Sequence, residues 1–447
     1  MFKFLKKDKL GETASQEWRR KTLAYTDAVN AFVEKGTRDG WENAGKEPDA
    51  SGREHLVDTL LKALKKNQTT ASFKSLRDQW PPAHAPLVSK LSETHFQGIP
   101  AIALLDDGSI IVRSGMSYHD GSVFHIQSNK ITKVPNIDYF GQGPNKRFFA
   151  TVKDSGISIT DGWQGPETAF CPWPTGLEDI PDGYDVEKFN AAPSVEQIIP
   201  FPDGKRVLLI SEDGIFVLTP AHARRLLPTL EAQIDFYDYL KDEQPDDPLS
   251  MGLSMVHGAI SHDGSMIAVG CQDGPHLVFD ANYKLIGTVG HLSEYPHYAV
   301  FSRDDKIIAL NSCHFYNGAT IGVPTDLLGD YTSESYELAD GQIELNTQDR
   351  VYAAVSTQNL FITGDAYGYI RGYDHQGKDV FKVFLGSSIG DIDISKDEKT
   401  LIASTYAGFI AKYDLEATQR AEFQIGTGEV LELERWMFWK NEKPLKW

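Results

Sequence analysis

The sequence predicts a mainly β fold, a seven-bladed β-propeller with an N-terminal α-helical segment. Three observations carry that expectation. Apolar periodicity changes from helical to alternating near residue 97. From there a strand–turn–strand unit recurs seven times. A second turn containing glycine then follows in every unit. A length of 447 residues suggests about two to four ordinary domains, but blades that share one ring break that rule.

Residues 1–95 read as helical. Trp18, Thr22, Tyr25, Val29 and Phe32 fall on one face of a helix over 15–35, with Gly36 as its expected stop. Ser51 and Glu54 have the spacing of a capping box and are expected to open a second helix. Leu56, Val57, Leu60, Leu61 and Leu64 form its stripe. A third short helix carries Phe73, Leu76 and Trp80 and ends at Pro81-Pro82. These stripes are expected to be core, because short helices persist only when one face is buried.

The propeller is expected over 96–430. Strand-forming runs flank Asp-rich or Gly-rich turns at 105–112, 201–210, 261–269, 302–310 and 395–403, with weaker copies at 143–150 and 355–362. The second turns contain Gly121, Gly156, Gly214, Gly274, Gly318, Gly368 and Gly408. Their spacing scatters around the roughly 40–45 residues of a four-stranded blade. The two widest intervals hold insertions, a Pro-rich stretch over 171–190 and an expected helix over 228–242. The aromatic tail 431–447, with Trp436, Phe438 and Trp439, is expected to pack on the propeller, since left unburied it would form an apolar patch.

In three units the glycine is followed six residues later by aspartate after an aromatic residue: Gly274 with Phe279-Asp280, Gly368 with Tyr373-Asp374, and Gly408 with Tyr413-Asp414. Gly290-His291, followed by 298–305, adds a Gly-His start and a strand-then-turn signature. The chain thereby resembles a degenerate, bacterial-type WD-repeat propeller, with Phe or Tyr in place of tryptophan. The resemblance implies that the glycine turns share one rim with the Gly-His segment, and that His291 serves a hydrogen-bond network within its blade. It implies a partner-binding rim at Tyr118, His119, Asp120, Asp154, His314, Tyr316, Asp365, Tyr367 and Tyr406, with Asp213, Asp273 and Phe315 on the same face. Tyrosines among acidic groups suit a protein interface.

The formal net charge is −19, from 63 acidic and 44 basic residues. That repels nucleic-acid backbones and favours a basic protein partner. No apolar run reaches the roughly 18 residues of a membrane span. Cys171, Cys271 and Cys313 form no CxxC pair, which argues against a disulfide framework and fits a cytoplasmic location. His291, His297 and His314 lie near one another in the fifth unit, and Asp273 adds an oxygen, but they lack metal-ligand spacing. The acidic run 242–247 lacks the spacing of a calcium loop. No nucleophile elbow, phosphate-binding loop or dinucleotide fingerprint is present. No catalytic residue, metal or cofactor is therefore expected. The expected function is a non-enzymatic protein–protein interaction scaffold, one concrete version being an antitoxin-like or immunity-like protein. The alternatives are a metal-assisted hydrolase or lactonase at the channel, by analogy of fold, and a small-ligand-sensing propeller.

Overall fold

The structure, a computed structural model, describes residues 12–68, 73–93, 97–115, 121–243, 249–439 and 442–447. Seven sheets arise from the alternating segments, antiparallel throughout except where Tyr331–Thr332 pairs in parallel at the outer edge of one of them. Their innermost strands are Ala101–Leu104, Phe140–Gln142, Val195–Pro200, His257–Ile260, Tyr295–Phe301, Val351–Ser356 and Ile389–Ile394. These begin blades 1 to 7. Each packs on the inner strands of its neighbours, and Ile389–Ile394 packs on Ala101–Leu104 to close the ring. The protein is a seven-bladed β-propeller with N-terminal helices. Blades 1, 2, 3 and 5 have four strands; blades 4, 6 and 7 gain a fifth at the outer edge.

The hairpins follow from their turn residues. In blades 4 and 5, Ser261 and Ser302 donate to Asp263 and Asp304 at 2.8 and 2.9 Å. The same hydroxyls accept the N–H of Met266 and Ile307, both at 2.9 Å. Serine and aspartate thus satisfy the backbone that the turn leaves open. The left-handed position is Gly264 in blade 4, at φ +76°. It is Asp305 in blade 5 and Glu398 in blade 7, at φ 58° and 62°. Those acidic side chains use the strained position to link blades. Asp305 accepts from the backbone N–H of His262 and of Asp263, at 2.8 and 3.0 Å. Glu398 accepts from Gln358 N–H at 2.9 Å.

Among the described residues, ring closure exchanges no strand between the two ends of the propeller. Two carboxylates on the inner strand of blade 7 accept backbone N–H groups of blade 1: Asp391 from Ile102 at 2.7 Å, and Asp393 from Leu104 at 2.6 Å. Ser404 adds a bond to the Ile99 carbonyl at 2.7 Å.

The helices are α1 (Ala14–Asp39), α2 (Val57–Lys66), α3 (Lys74–Gln79) and α4 (Leu87–Glu93), with α5 (Leu230–Glu243) inserted after blade 3. Two expected boundaries are corrected. Helix α1 runs past Gly36 to Gly40, because the Trp41 indole folds back over Gly36 and occupies the space a Cβ would need. Ser51 caps no helix. Its hydroxyl donates to Asp49 at 2.7 Å, and Glu54 accepts from Gly52 N–H. The capping box is instead Thr13 with Gln16, at the start of α1.

The helices pack on blade 7. Trp18, Leu60, Leu64, Leu76 and Trp80 share one core with Phe409, Met437, Trp439 and Trp447. Leu431–Met437 is the fourth strand of blade 7, and Leu445–Lys446 pairs outside it. Burying that aromatic run is worth roughly 1.5–3 kcal/mol per large side chain. A buried ion triad joins the layers: Glu432 lies between Arg77 at 3.1 Å and Arg435 at 2.7 Å. No helix among the described residues is long and apolar enough to cross a membrane.

Candidate functional site

In each blade the turn joining strands two and three lies beside the start of the inner strand, as in the pairing of Tyr295 with Cys313 and of Val351 with Asp365. All the second turns therefore share one face of the ring. Tyr118, His119 and Asp120 lie outside the described residues.

The structure brings three of the expected rim residues together. His314, Tyr316 and Tyr367 occupy adjacent turns of blades 5 and 6. The Tyr316 and Tyr367 rings are 5.6 Å apart, and Phe315 lies 4.5 Å from His314. Phe315 is 75 % exposed, Tyr316 58 % and Tyr367 47 %. Phe315 also has a left-handed backbone, φ 53°, which turns its ring away from the sheet. The Tyr367 hydroxyl donates to Asn317 Oδ1 at 2.9 Å, and His314 Nδ1 meets Glu294 at 2.6 Å. Exposed Tyr336 sits on His291 in the connection between blades 4 and 5.

The other expected residues lie apart. Asp154 is exposed in the blade 2 turn, where its carbonyl accepts from the Trp173 indole at 3.1 Å. Asp365 is 1 % exposed and presents nothing to a partner. It accepts from Tyr369 N–H at 2.9 Å and faces Arg371, whose Nε is nearer Asp349, at 2.6 Å against 3.7 Å. Burial, then the neighbouring Asp349 carboxylate, pushes the Asp365 carboxyl up to about 7. Tyr406 turns inward and lines the central channel.

That channel is a cavity of about 660 Å³. At the end opposite the glycine turns its charges are paired: Lys146 with Asp393, Arg303 with Glu398, and Lys396 with Asp106. The glycine-turn end differs. Arg350 donates from Nε and Nη2 to His297 Nε2, at 3.2 and 2.9 Å, and from Nη1 to the Phe315 carbonyl at 3.1 Å. Its guanidinium lies over the Tyr352 ring at 4.9 Å. His297 Nδ1 is 2.6 Å from the Val351 carbonyl, so Nδ1 carries the proton and Nε2 accepts. Burial, then Arg350, lowers His297 to about 3, so its ring is neutral. Tyr352 and Tyr406 meet edge to face at 5.9 Å. Burial pushes the Tyr406 phenol up to about 12. Asp391 also lines the lumen and is raised by burial to about 7.

The histidines do not gather around a common point. His314 is committed to Glu294, His297 to Val351 and Arg350, and His291 to the Ser293 carbonyl. His257 contacts His276 at 3.0 Å; both are buried and held below the usual imidazole range by desolvation. Among the described residues no three His, Cys, Asp or Glu side chains are placed to hold a metal.

Sequence reasoning missed Arg350, His297, Tyr352 and Asp391 as one set. Their common signal is position: each lies at or near the start of an inner strand.

No family model matches the sequence, and no curated protein matches it. Among solved structures, the computationally designed Ika8 protein is similar at a TM-score of 0.44 and 14 % identity, covering 72 % of this chain and 98 % of that one.

Proposed function

We propose that the chain is a non-enzymatic interaction scaffold, a degenerate WD-repeat-like propeller in the cytoplasm that presents its glycine-turn face to a protein partner. One observation carries this reading. Phe315, Tyr316 and Tyr367 expose their rings on turns of two adjacent blades, Tyr316 and Tyr367 lying 5.6 Å apart and Phe315 against His314. Aromatic side chains on rigid turns are efficient anchors, since few rotamers are lost on binding. Glu294 and the net charge of −19 favour a basic partner and speed its approach. An antitoxin-like or immunity-like protein is one version of this function.

The test is affinity capture from the native host, comparing the full chain with Phe315→Ser/Tyr316→Ser/Tyr367→Ser. A partner retained by the wild type and lost by the triple variant, at an unchanged melting temperature, supports the scaffold. Equal capture by both proteins, or none by either, rejects this face.

A further inference from the structure

The central channel is chemically asymmetric along its length, and the asymmetry bears on a ligand. At one end Lys146, Arg303 and Lys396 each have a carboxylate partner. At the glycine-turn end Arg350 has none within ion-pair distance among the described residues. Its nearest acceptors are a neutral imidazole nitrogen and a backbone carbonyl. One N–H on Nη1 and one on Nη2 remain without a described acceptor. A positive charge held this way, in a cavity with low-dielectric walls, attracts an anion more strongly than the same charge on an open surface.

Two further donors stand beside it. The hydroxyls of Tyr352 and Tyr406 form no hydrogen bond with a described residue, and both side chains line the same cavity, their rings in edge contact. A guanidinium stacked on one phenol ring, with a second phenol against that ring in the same cavity, is a donor set for a carboxylate, which accepts two N–H groups in one plane and still has lone pairs for O–H donors.

The remaining lining limits what else the ligand carries. Glu196, on the inner strand of blade 3, and Asp391, on that of blade 7, face the same lumen. Asp391 accepts N–H groups of Ile102 and Ile392 at 2.7 and 2.8 Å. Tyr139 and Tyr298 add aromatic lining. Carboxylates and phenol rings together repel a polyanion and suit an ammonium group.

We propose that the glycine-turn mouth of the channel binds a small amino-acid-like zwitterion, its carboxylate on Arg350 and the hydroxyls of Tyr352 and Tyr406, its cationic end towards Glu196 and Asp391. The site is separate from the exposed Phe315–Tyr316–Tyr367 surface, although the Phe315 carbonyl helps hold Arg350 and so ties the two together. A bound zwitterion adds a hydrogen-bonding load to the residue that steadies the blade 5 turn.

The experiment is isothermal titration of the full chain with glycine, β-alanine and glycine betaine, against acetate, ethylammonium and pyrophosphate. At least one zwitterion is expected to bind about tenfold or more tightly than the three comparison probes, a difference of roughly 1.4 kcal/mol. Arg350→Gln and Tyr406→Phe are each expected to weaken that binding by about tenfold or more. Tyr406→Phe keeps the ring and decides the matter if Arg350→Gln lowers the melting temperature. The proposal is overturned if no zwitterion binds, if acetate or pyrophosphate binds as well, or if Tyr406→Phe binds like the wild type. The triple variant at Phe315, Tyr316 and Tyr367 should still bind the zwitterion, so failure of the scaffold and failure of this site are told apart.

Discussion

Blade 7 and the neighbouring turns of blades 5 and 6 are built from the same residue types with opposite outcomes. On blade 7, Trp436, Met437, Phe438 and Trp439 are buried, and α1 to α3 extend that core with Trp18 and Trp80. Two of the indoles there find partners, the Trp18 N–H donating to the Pro81 carbonyl at 2.9 Å and the Trp447 N–H to the Trp80 carbonyl at 2.6 Å, whereas the buried Trp436 N–H has none among the described residues. On blades 5 and 6 the aromatic rings touch mainly one another and face water. The difference lies in whether the chain supplies its own cover. Aromatic content by itself does not distinguish a surface left exposed from one that the chain covers.

Four substitutions or conditions sharpen that contrast. Trp18→Ala empties the centre of the helical layer, where the ring is 0 % exposed and lies 6.3 Å from both Trp80 and Trp447. Urea unfolding should show a loss of about 3–5 kcal/mol, with α1 exchanging its amide protons before the inner strands do. Asp391→Asn replaces an oxygen that accepts a backbone N–H at the ring seam with an amide, costing about 1–3 kcal/mol in the same assay. Retained stability would show that the Asp391 carboxylate is dispensable to a seam that Asp393 and Ser404 still bridge.

Acid should separate the helical layer from the ring. His84 packs on Phe384 at 4.7 Å, and burial, then the Arg435 and Arg53 charges, lowers it to about 3. The unfolded chain takes up that proton near the ordinary 6.5. The folded state binds fewer protons across this window, so its stability falls as the pH drops from 6.5 towards 3. His257, lowered to about 4, acts in the same direction. Asp365 and Asp391, raised to about 7, act oppositely: their contribution is present in acid and is lost as the pH rises from about 4 through 7. Hydrogen exchange in α1 should therefore accelerate between pH 7 and 5 relative to blade 3, and His84→Phe should remove part of that acceleration. The smallest effect is expected at Tyr316→Ala. Its side chain is more than half exposed, so the melting curve should move by no more than about 0.5 kcal/mol in stability.

The ring was legible because its turns are chemical. Ser261 with Asp263 and Ser302 with Asp304 satisfy the hairpin backbone through atoms that the sequence names. Gly36 misled for the opposite reason: a glycine that reads as a stop is instead required by an indole arriving from residue 41. Of the expected rim residues, His314, Tyr316 and Tyr367 lie together, because they fall within or beside glycine turns of neighbouring blades. Asp365 has the same sequence signature, yet Arg371 and Asp349 draw it into the blade. The channel mouth was not legible, because Arg350, Tyr406 and Asp391 meet only once seven blades have closed a circle.

The contact between Trp18 and Trp447 has a consequence for synthesis. At roughly 5–20 residues per second, the helices leave the ribosome tens of seconds before the strands they cover. During that interval Trp18, Leu60 and Leu64 have no blade to lie on, since their partners Met437, Leu445 and Trp447 are not yet made. Early blades can assemble on one another in order of translation. The helices, made before the blades they cover, are the last to find their place, and until then their apolar stripe is a natural target for a chaperone.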